Sequence, residues 1–457
     1  MVASAPEHRT SLHGHWSSRF AFILAVSGSA IGLGNIWKFP YIAGVNGGGA
    51  FVLVYLLCVF VVGLPIMMAE ILLGRRGRRN PIATMALLGE EEGSTRRWGF
   101  IGVAGVISGF LILSYYSVIA GWAVAYIFEG ASGAFENANA AVVGDIFSAL
   151  SGNWLVTGFW HTLFMILTTL VVSKGVERGL ERAVRVLMPA LVALLVVLLG
   201  YSMIAGDFAA GLRFMFEPKF SELTQAGVLS ALGHAFFTLS VGMGAVMAYG
   251  AYLPPETSIA RTSIAVVCAD TGIAILAGLV IFPIVFANGL DPAAGPGLIF
   301  QSLPLAFGQM PGGVIIAVLF FLLLTFAAWT SAISLMEPAV AWLIEARELS
   351  RTAAAGLVGG TIWLLGFLSV WSFNLLADFK PFGRTLFDNL DFLTSNIMLP
   401  LGGLAIVFFA SWVMCQNSSA DELDPAAGPG YRAWYFSARY IAPVAVVLIF
   451  LNAIGFF

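Results

Sequence analysis

Two short runs of small and polar residues interrupt long apolar stretches: SGSAIGLGN at Ser27–Asn35 and TLSVGMG at Thr238–Gly244. A glycine inside a helix costs about 1 kcal/mol relative to alanine, so each run weakens the helix that contains it. Small residues in membrane helices also serve close packing between neighbours, and for either run alone that explanation is equally good. The positions of the two runs along the chain decide between these interpretations.

The composition of the chain indicates a membrane protein. Of its 457 residues, 59% are hydrophobic and only 10% are charged, and the mean hydropathy is +0.91. A soluble domain carries about a quarter charged residues because its surface is in water. The lipid bilayer is therefore the expected partner. The formal net charge of −3 is small and no basic run is interleaved with aromatic residues, so nothing here indicates nucleic-acid binding.

The apolar stretches predict an all-α membrane protein with eleven transmembrane helices, because about 20 mostly apolar residues cross a bilayer. The predicted spans are residues 19–42, 48–73, 98–128, 157–174, 183–205, 227–253, 261–288, 312–346, 353–375, 385–415 and 433–457. Residues 1–18 are expected to form a cytoplasmic N-terminal segment, and 19–457 a single transmembrane domain.

The distribution of basic residues predicts the orientation. With eleven spans, most of the 22 Lys and Arg residues fall on the same side as the N-terminus. Cytoplasmic loops of membrane proteins carry this excess of positive charge. We therefore expect a cytoplasmic N-terminus and a C-terminus, Phe457, on the outside.

The two glycine-containing runs lie in predicted spans 1 and 6, which are five helices apart. Because five is odd, a second five-helix unit enters the membrane inverted relative to the first. The sequence thus predicts two inverted repeats, at about 19–205 and 227–415, with a peripheral helix 11 at about 433–457. Paired discontinuous helices in inverted repeats mark the binding sites of secondary transporters. Their exposed carbonyl and amide groups suit a cation together with a carboxylate.

Ionisable and hydroxyl side chains within the spans are candidate functional groups, because a charge at bilayer depth is costly. Glu70 is expected to accept hydrogen bonds from unwound backbone amides. For Asp270 we favour function over a structural ion pair. Glu337 lies nearer the end of a span, where its charge could reach the membrane surface. The neighbouring hydroxyls of Thr330 and Ser331 suit a monovalent cation, or else bond back to their own helix.

Four motifs in order carry a family resemblance: GSAIGLGNIWKFPY (Gly28–Tyr41), NGGGAFVLVY (Asn46–Tyr55), FFTLSVGMGA (Phe236–Ala245) and WTSAISLMEP (Trp329–Pro338). The chain resembles the neurotransmitter:sodium symporter family, and within it the bacterial amino-acid transporters. This resemblance implies a secondary active symporter, not an enzyme, in the inner membrane of a bacterium. It would import hydrophobic, aliphatic or aromatic L-amino acids with two sodium ions by alternating access.

The resemblance also implies site residues. The substrate would contact Ala30, Leu33, Gly34, Ile112, Tyr116, Phe237, Thr238, Ser240, Met243, Ser331 and Leu335. Sodium site one would use Ala30, Asn35, Thr238 and Asp270. Sodium site two would use Gly28, Ile31, Ala327, Thr330 and Ser331. The outer gate would contain Lys38, His234 and Asp391, the inner gate Trp16, Tyr252 and Glu345, and Glu70 would brace the unwound helices.

Departures from the family pattern refine these expectations. Gly32 replaces the aspartate of amine transporters, so the substrate is expected to bring its own carboxylate. Chloride is not expected, because Asp270 would supply the negative charge that chloride provides in some relatives. His234 replaces a glutamine and is either a pH-sensitive gate residue or a permanently neutral one. His13 stands where relatives have the arginine of the inner gate, which leaves that pairing open.

An ion channel, a membrane enzyme and a related transporter are the alternatives to sodium symport. An ion channel would also need polar residues at mid-membrane, but it could not concentrate a substrate. A membrane enzyme is disfavoured because the sequence has no metal-binding motif, nucleophile elbow or phosphate-binding loop. A proton-coupled or solute-sensing relative of the same fold stays open, as do the particular amino acid and the sodium stoichiometry. An oligomer is possible but not predicted.

Overall fold

A computed structural model describes residue 9, residues 14–295, 297–424 and 426–453, and residue 456. Within these residues the chain is helical, apart from turns and one isolated antiparallel bridge between Gly48 and Pro218. The helices are α1 (Arg19–Ala30), α2 (Gly34–Val45), α3 (Gly49–Gly77), α4 (Pro81–Glu91), α5 (Arg96–Ala131), α6 (Ala140–Ser151), α7 (Trp154–Ser173), α8 (Val176–Ala205), α9 (Phe208–Phe216), α10 (Gln225–Thr238), α11 (Ala245–Gly250), α12 (Ile259–Ala287), α13 (Leu298–Ser302, continuing as Leu303–Gln309), α14 (Gly313–Arg347), α15 (Arg351–Trp371), α16 (Leu386–Val413), α17 (Gln416–Leu423) and α18 (Pro429–Phe436, continuing through Ser437–Ile441 to Ala442–Ala453).

Eight helices in the described part of the chain are long and apolar enough to cross a membrane: α3, α5, α7, α8, α12, α14, α15 and α16. The bent pair α1 and α2 makes a ninth if it is counted as one span. All nine overlap predicted spans, but several extend further into polar sequence. α8, for example, begins at Val176 and includes the charged segment that hydropathy excluded. The count of eleven spans and the inverted repeats stay predictions.

The first glycine-containing run interrupts its helix. α1 and α2 are bent by 50° relative to each other, and the break contains Ile31, Gly32 and Leu33. The last helical hydrogen bond of α1 runs from the Ile31 amide to the Ser27 carbonyl, after which Ile31 adopts an extended conformation. The Gly32 and Leu33 amides at this break therefore bond to side chains, those of Asn35 and Tyr116, instead of to helical carbonyls.

The second run separates α10 from α11. Ser240, Gly242 and Gly244 all have positive φ angles, of 53°, 87° and 77°. Glycine adopts this left-handed region readily, whereas a residue with a Cβ atom does so at a cost. A Cβ atom on Gly242 would also lie 2.4 Å from the Leu399 carbonyl oxygen of α16. The glycine is thus required both by the backbone conformation and by the close approach of α16.

The two longest described helices, α5 and α14, pack against each other beside the broken helices. Glycines of α5 permit this approach. A Cβ atom on Gly105 would lie 3.1 Å from the carbonyl carbon of Met243, which belongs to the second break. A Cβ atom on Gly109 would lie 3.2 Å from the Leu335 carbonyl oxygen of α14. Small residues let membrane helices come this close, and here they bring α5 and α14 to the second break.

A candidate site at two broken helices

The two breaks lie in contact with each other. The Ser240 hydroxyl donates a hydrogen bond of 2.9 Å to the Ser29 carbonyl at the end of α1. A Cβ atom on Gly34, just after the first break, would lie 3.2 Å from the Phe237 ring at the end of α10. On the far side of the second break, the Gly242 amide donates a hydrogen bond to the Glu70 carboxylate of α3. The fully buried Glu70 carboxylate thus accepts a hydrogen bond from a backbone amide that lies outside the helices.

A polar cluster joins α2, α10 and α12. The Asn35 side-chain amide donates to the Asp270 carboxylate over 2.7 Å and to the Asp270 carbonyl over 3.0 Å. The Thr238 hydroxyl lies 3.2 and 3.1 Å from the two carboxylate oxygens of Asp270. All three side chains are fully buried. These residues are three of the four predicted for sodium site one, and Ala30 stands at the start of the adjoining break.

A second group of oxygens lies between α1 and α14. The Ser331 hydroxyl is 3.3 Å from the Gly28 carbonyl oxygen and 3.2 Å from that of Ile31. The neighbouring Thr330 hydroxyl bonds back to the Ala327 carbonyl of its own helix over 3.0 Å. Three of the five residues predicted for sodium site two, Gly28, Ile31 and Ser331, thus meet through their oxygens, and Thr330 and Ala327 bond to each other on the same helix as Ser331.

The predicted substrate pocket contains both polar and apolar groups. The Leu33 amide donates a hydrogen bond of 3.1 Å to the Tyr116 hydroxyl of α5. The side chains of Ile112, Met243 and Leu335 are all buried. Space at Gly32 is limited, because an added Cβ atom would lie 2.4 Å from the Ser331 hydroxyl and 2.7 Å from the Tyr116 hydroxyl.

On the side predicted to be outside, Lys38 and Asp391 form an ion pair with an N–O distance of 3.3 Å. Asp391 also accepts hydrogen bonds from the hydroxyls of Tyr115 and Ser395, over 3.1 and 2.9 Å. The Lys38 ammonium lies 4.3 Å from the centroid of the Phe237 ring. A cavity of about 350 Å³ opens beside this ion pair.

His234 lines the same cavity, but it does not contact Asp391 through any hydrogen bond found among the described residues. Its ring lies 6.0 Å from that of Phe39 and 5.4 Å from that of Tyr55. Neither ring nitrogen has a hydrogen-bond partner within the described chain. This environment is closer to that of a neutral histidine packed among aromatic rings than to that of a charged gate residue.

Two of the predicted inner-gate residues, Trp16 and Tyr252, are joined by a backbone hydrogen bond. Trp16 donates from its indole to the Tyr249 carbonyl over 3.1 Å, and from its amide to the Tyr252 carbonyl over 3.2 Å. Glu345, near the end of α14, accepts hydrogen bonds from the amide and side chain of Asn80, which precedes α4, over 2.8 and 2.7 Å. His13 lies outside the described residues. Trp16 and Tyr252 are thus in contact, and Glu345 joins the end of α14 to the start of α4.

The sequence interpretation missed a charged pair at this end. Glu337 is fully buried, although a position near the membrane surface was expected for its charge. Both of its oxygens accept hydrogen bonds from the Arg351 guanidinium, and one also accepts from the Tyr252 hydroxyl over 3.1 Å. Only 14 residues separate Glu337 from Arg351, and a turn between α14 and α15 could have indicated their pairing. The ion pair connects Tyr252 to the start of α15.

Comparison with known proteins agrees with this architecture. The chain matches the Sodium:neurotransmitter symporter family over residues 13–142 and 153–457. It is 38% identical over 443 residues to the uncharacterized sodium-dependent transporter YhdH of Bacillus subtilis, covering 96% of this chain and 97% of that protein. An uncharacterized sodium-dependent transporter of Haemophilus influenzae is 32% identical over 444 residues, with coverage of 96% and 97%.

A solved structure shares the fold. The crystal structure of MhsT in complex with L-phenylalanine matches with a TM-score of 0.89 and 42% sequence identity, over 96% of this chain and 99% of that chain. The family match and the two sodium-dependent relatives cover nearly the whole chain, and the apolar helices account for a multi-pass membrane protein. The chain belongs to the Sodium:neurotransmitter symporter family and is a sodium-dependent membrane transporter, not an enzyme.

Proposed function

We propose that this protein imports hydrophobic L-amino acids together with sodium ions by alternating access. One observation carries the proposal: the two helix breaks meet beside a fully buried carboxylate, Asp270, which Asn35 and Thr238 hold in place. A buried carboxylate needs a cation or a proton to offset its charge. The similarity to MhsT, whose crystal structure contains L-phenylalanine, supports an amino acid as the second cargo.

The donor atoms at the first proposed sodium site fit this cargo. Asn35, Thr238 and Asp270 offer amide, hydroxyl and carboxylate oxygens, and Ala30 offers a carbonyl. Hard cations prefer oxygen ligands, and no thiolate or imidazole is part of the set. The amino group of a bound zwitterion would lie at the adjoining breaks, where Ala30, Phe237 and Thr238 present carbonyl oxygens and Ser240 presents a hydroxyl. Its carboxylate could serve as a further ligand.

The second proposed sodium site consists of the Gly28, Ile31 and Ala327 carbonyls and the Thr330 and Ser331 hydroxyls. The Ser331 hydroxyl already bridges the Gly28 and Ile31 carbonyls. When a sodium ion binds, the Ser331 hydroxyl would rotate so that its oxygen faces the ion. The Gly28 and Ile31 carbonyls would then coordinate the ion instead of accepting the hydroxyl proton. Two ions provide ample driving force, since each gains about 2.3 kcal/mol per 100 mV of membrane potential.

The polar groups of the pocket favour a substrate with its own carboxylate. The Leu33 and Gly34 amides and the Tyr116 hydroxyl are donors, and at present the Leu33 amide donates to Tyr116. A substrate carboxylate could accept hydrogen bonds from the Leu33 amide and from the Tyr116 hydroxyl. Gly32 leaves no room for a protein carboxylate to pair with a simple amine. The apolar side chains of Ile112, Met243 and Leu335 suit an aliphatic or aromatic side chain, and unbranched methionine adapts to either.

Transport would alternate between the two gates. Opening outward would separate Lys38 from Asp391, and opening inward would release Trp16 from Tyr249 and Tyr252. We propose that two inverted five-helix repeats rock around the site, with a peripheral eleventh span. The protein would lie in the inner membrane of a bacterium with its N-terminus in the cytoplasm and its C-terminus outside.

Uptake into proteoliposomes tests the proposal. With an inward sodium gradient, leucine, phenylalanine, tyrosine and tryptophan should accumulate above the external concentration, and replacing sodium by potassium should abolish accumulation. Glutamate, lysine and GABA should not accumulate. Sodium-independent flux without accumulation would indicate a channel. Accumulation driven by a proton gradient alone would indicate a proton-coupled relative, and substrate binding without flux would indicate a solute sensor.

A further inference from the structure

The guanidinium of Arg439 in α18 lies against aromatic rings. Its guanidinium lies 4.2 Å from the centroid of Trp412 and 5.4 Å from that of Tyr435. It donates to the Ser411 carbonyl over 3.2 Å and to the Tyr435 hydroxyl. None of the ion pairs formed among the described residues includes Arg439. The positive charge therefore has no protein counter-charge in that part of the chain.

Arg439 lies at the level of a membrane boundary. Trp412 is in the last turn of α16, which ends at Val413, and its indole donates to the Arg439 carbonyl over 3.1 Å. The polar helix α17, with the sequence QNSSADEL, follows directly. This end of α16 is the one that the Lys and Arg distribution places in the cytoplasm. The turn between α16 and α17 is held by the Glu92 carboxylate, which accepts a hydrogen bond from the Cys415 amide over 2.7 Å.

The surface around Arg439 faces outward and is aromatic. Trp412, Phe436 and Tyr440 are 47%, 57% and 50% exposed. Tryptophan and tyrosine concentrate where a membrane protein meets the headgroup region. At this depth the abundant anions are lipid phosphates, and they attract basic side chains of the cytoplasmic leaflet. Nη1 of Arg439 is occupied by its two hydrogen bonds and Nε is buried, whereas Nη2 makes no hydrogen bond within the described chain and is the group left to donate to a phosphate.

We propose that Arg439, Trp412 and Tyr440 bind the headgroup of one anionic phospholipid of the cytoplasmic leaflet. The guanidinium would donate to the phosphate oxygens, while the two rings contact the glycerol region and the upper acyl chains. The site is separate from the transport site, and its occupant follows from charge complementarity at the membrane boundary. The bound lipid would hold α18 against α16.

Lipid retention measured by native mass spectrometry tests the site. The purified full-length protein is titrated with phosphatidylglycerol and, separately, with phosphatidylcholine of the same acyl chains. R439Q should weaken phosphatidylglycerol binding by about tenfold, the loss expected of a charge-assisted hydrogen bond. R439K should show an intermediate loss, because lysine keeps the charge but not the planar fork. It also serves as the test variant if R439Q does not fold.

The matched control is R384Q. Arg384 also stacks on an aromatic ring, 3.9 Å from the centroid of Phe392, but it lies on the side predicted to be outside. R384Q should leave phosphatidylglycerol retention unchanged, and inorganic phosphate alone should not bind at Arg439. Equal retention of phosphatidylglycerol by the wild type, R439Q and R439K would overturn the proposal. So would a loss of dimers rather than of lipid in R439Q, which would assign this surface to a second copy.

Discussion

Asn35 and Asp270, which are 235 positions apart, are joined by two hydrogen bonds from one side-chain amide, to the carboxylate and to the carbonyl of Asp270. This contact ties the first helix break to the middle of α12. The Thr238 hydroxyl reaches the same carboxylate from the second break. A single buried acid thus connects both discontinuous helices, which makes it the most informative position to change.

Replacing Asp270 by asparagine should raise the sodium concentration for half-maximal uptake by at least about tenfold, or 1.4 kcal/mol. The variant keeps the size of the side chain and one acceptor oxygen but removes the charge that would face the ion. The measurement is substrate uptake against sodium concentration. The exposed Asp145 of α6 offers a matched control, and D145N should behave as wild type. An unchanged sodium dependence in D270N would exclude Asp270 from the ion site.

Chloride should not be required by the wild type. The Asp270 carboxylate would supply, as part of the chain, the negative charge that a chloride ion could otherwise provide near the sodium site. Uptake in sodium gluconate should therefore equal uptake in sodium chloride within error. Activity that disappears in gluconate and returns with chloride would contradict this role of Asp270.

Adding a methyl group at Gly32 should abolish substrate binding while leaving the protein folded. In G32A the new Cβ atom would lie within 2.7 Å of both the Ser331 and Tyr116 hydroxyls, so the pocket groups must move. Substrate-induced thermal stabilisation is the measurement. G272A is the control, because a Cβ atom on Gly272 of α12 meets nothing within 4 Å. Full stabilisation by phenylalanine in G32A would show that the pocket lies elsewhere.

Breaking the Glu337–Arg351 pair should be strongly destabilising. E337Q would leave the partly buried Arg351 guanidinium without its counter-charge, and removing one partner of a buried ion pair costs about 3–5 kcal/mol. Chemical unfolding in detergent measures the loss. E90Q, which breaks the exposed Glu90–Arg96 pair, should cost less than about 1 kcal/mol. The double variant E337Q/R351Q should lose less than the sum of the single variants, and strict additivity would argue against direct coupling.

His234 should not confer pH dependence on transport. Among the described residues its ring meets Phe39 and Tyr55, shares a cavity with the positively charged Lys38, and accepts or donates no hydrogen bond. H234Q should therefore show the same dependence of substrate affinity on pH between 5.5 and 8.5 as the wild type. A pH response present in the wild type and absent in H234Q would restore the gate hypothesis.

The sequence by itself determined the membrane class, the approximate helix boundaries and the two discontinuous helices. Each of these depends on local properties: hydropathy over about 20 residues, and the backbone freedom of closely spaced glycines. The runs Ser27–Asn35 and Thr238–Gly244 predict the two helix breaks from local sequence alone. The motifs around them were also sufficient to indicate the family.

Only the tertiary structure decided which distant groups meet. The turn between α14 and α15 brings Glu337 and Arg351 to the same end of the helices, but hydropathy does not show that their side chains point toward each other. The lack of space at Gly32 depends on side chains of α5 and α14, and the apolar surroundings of His234 depend on α2 and α3. Such contacts join residues separated by tens to hundreds of positions. Their distances follow from helix packing, which no local pattern encodes.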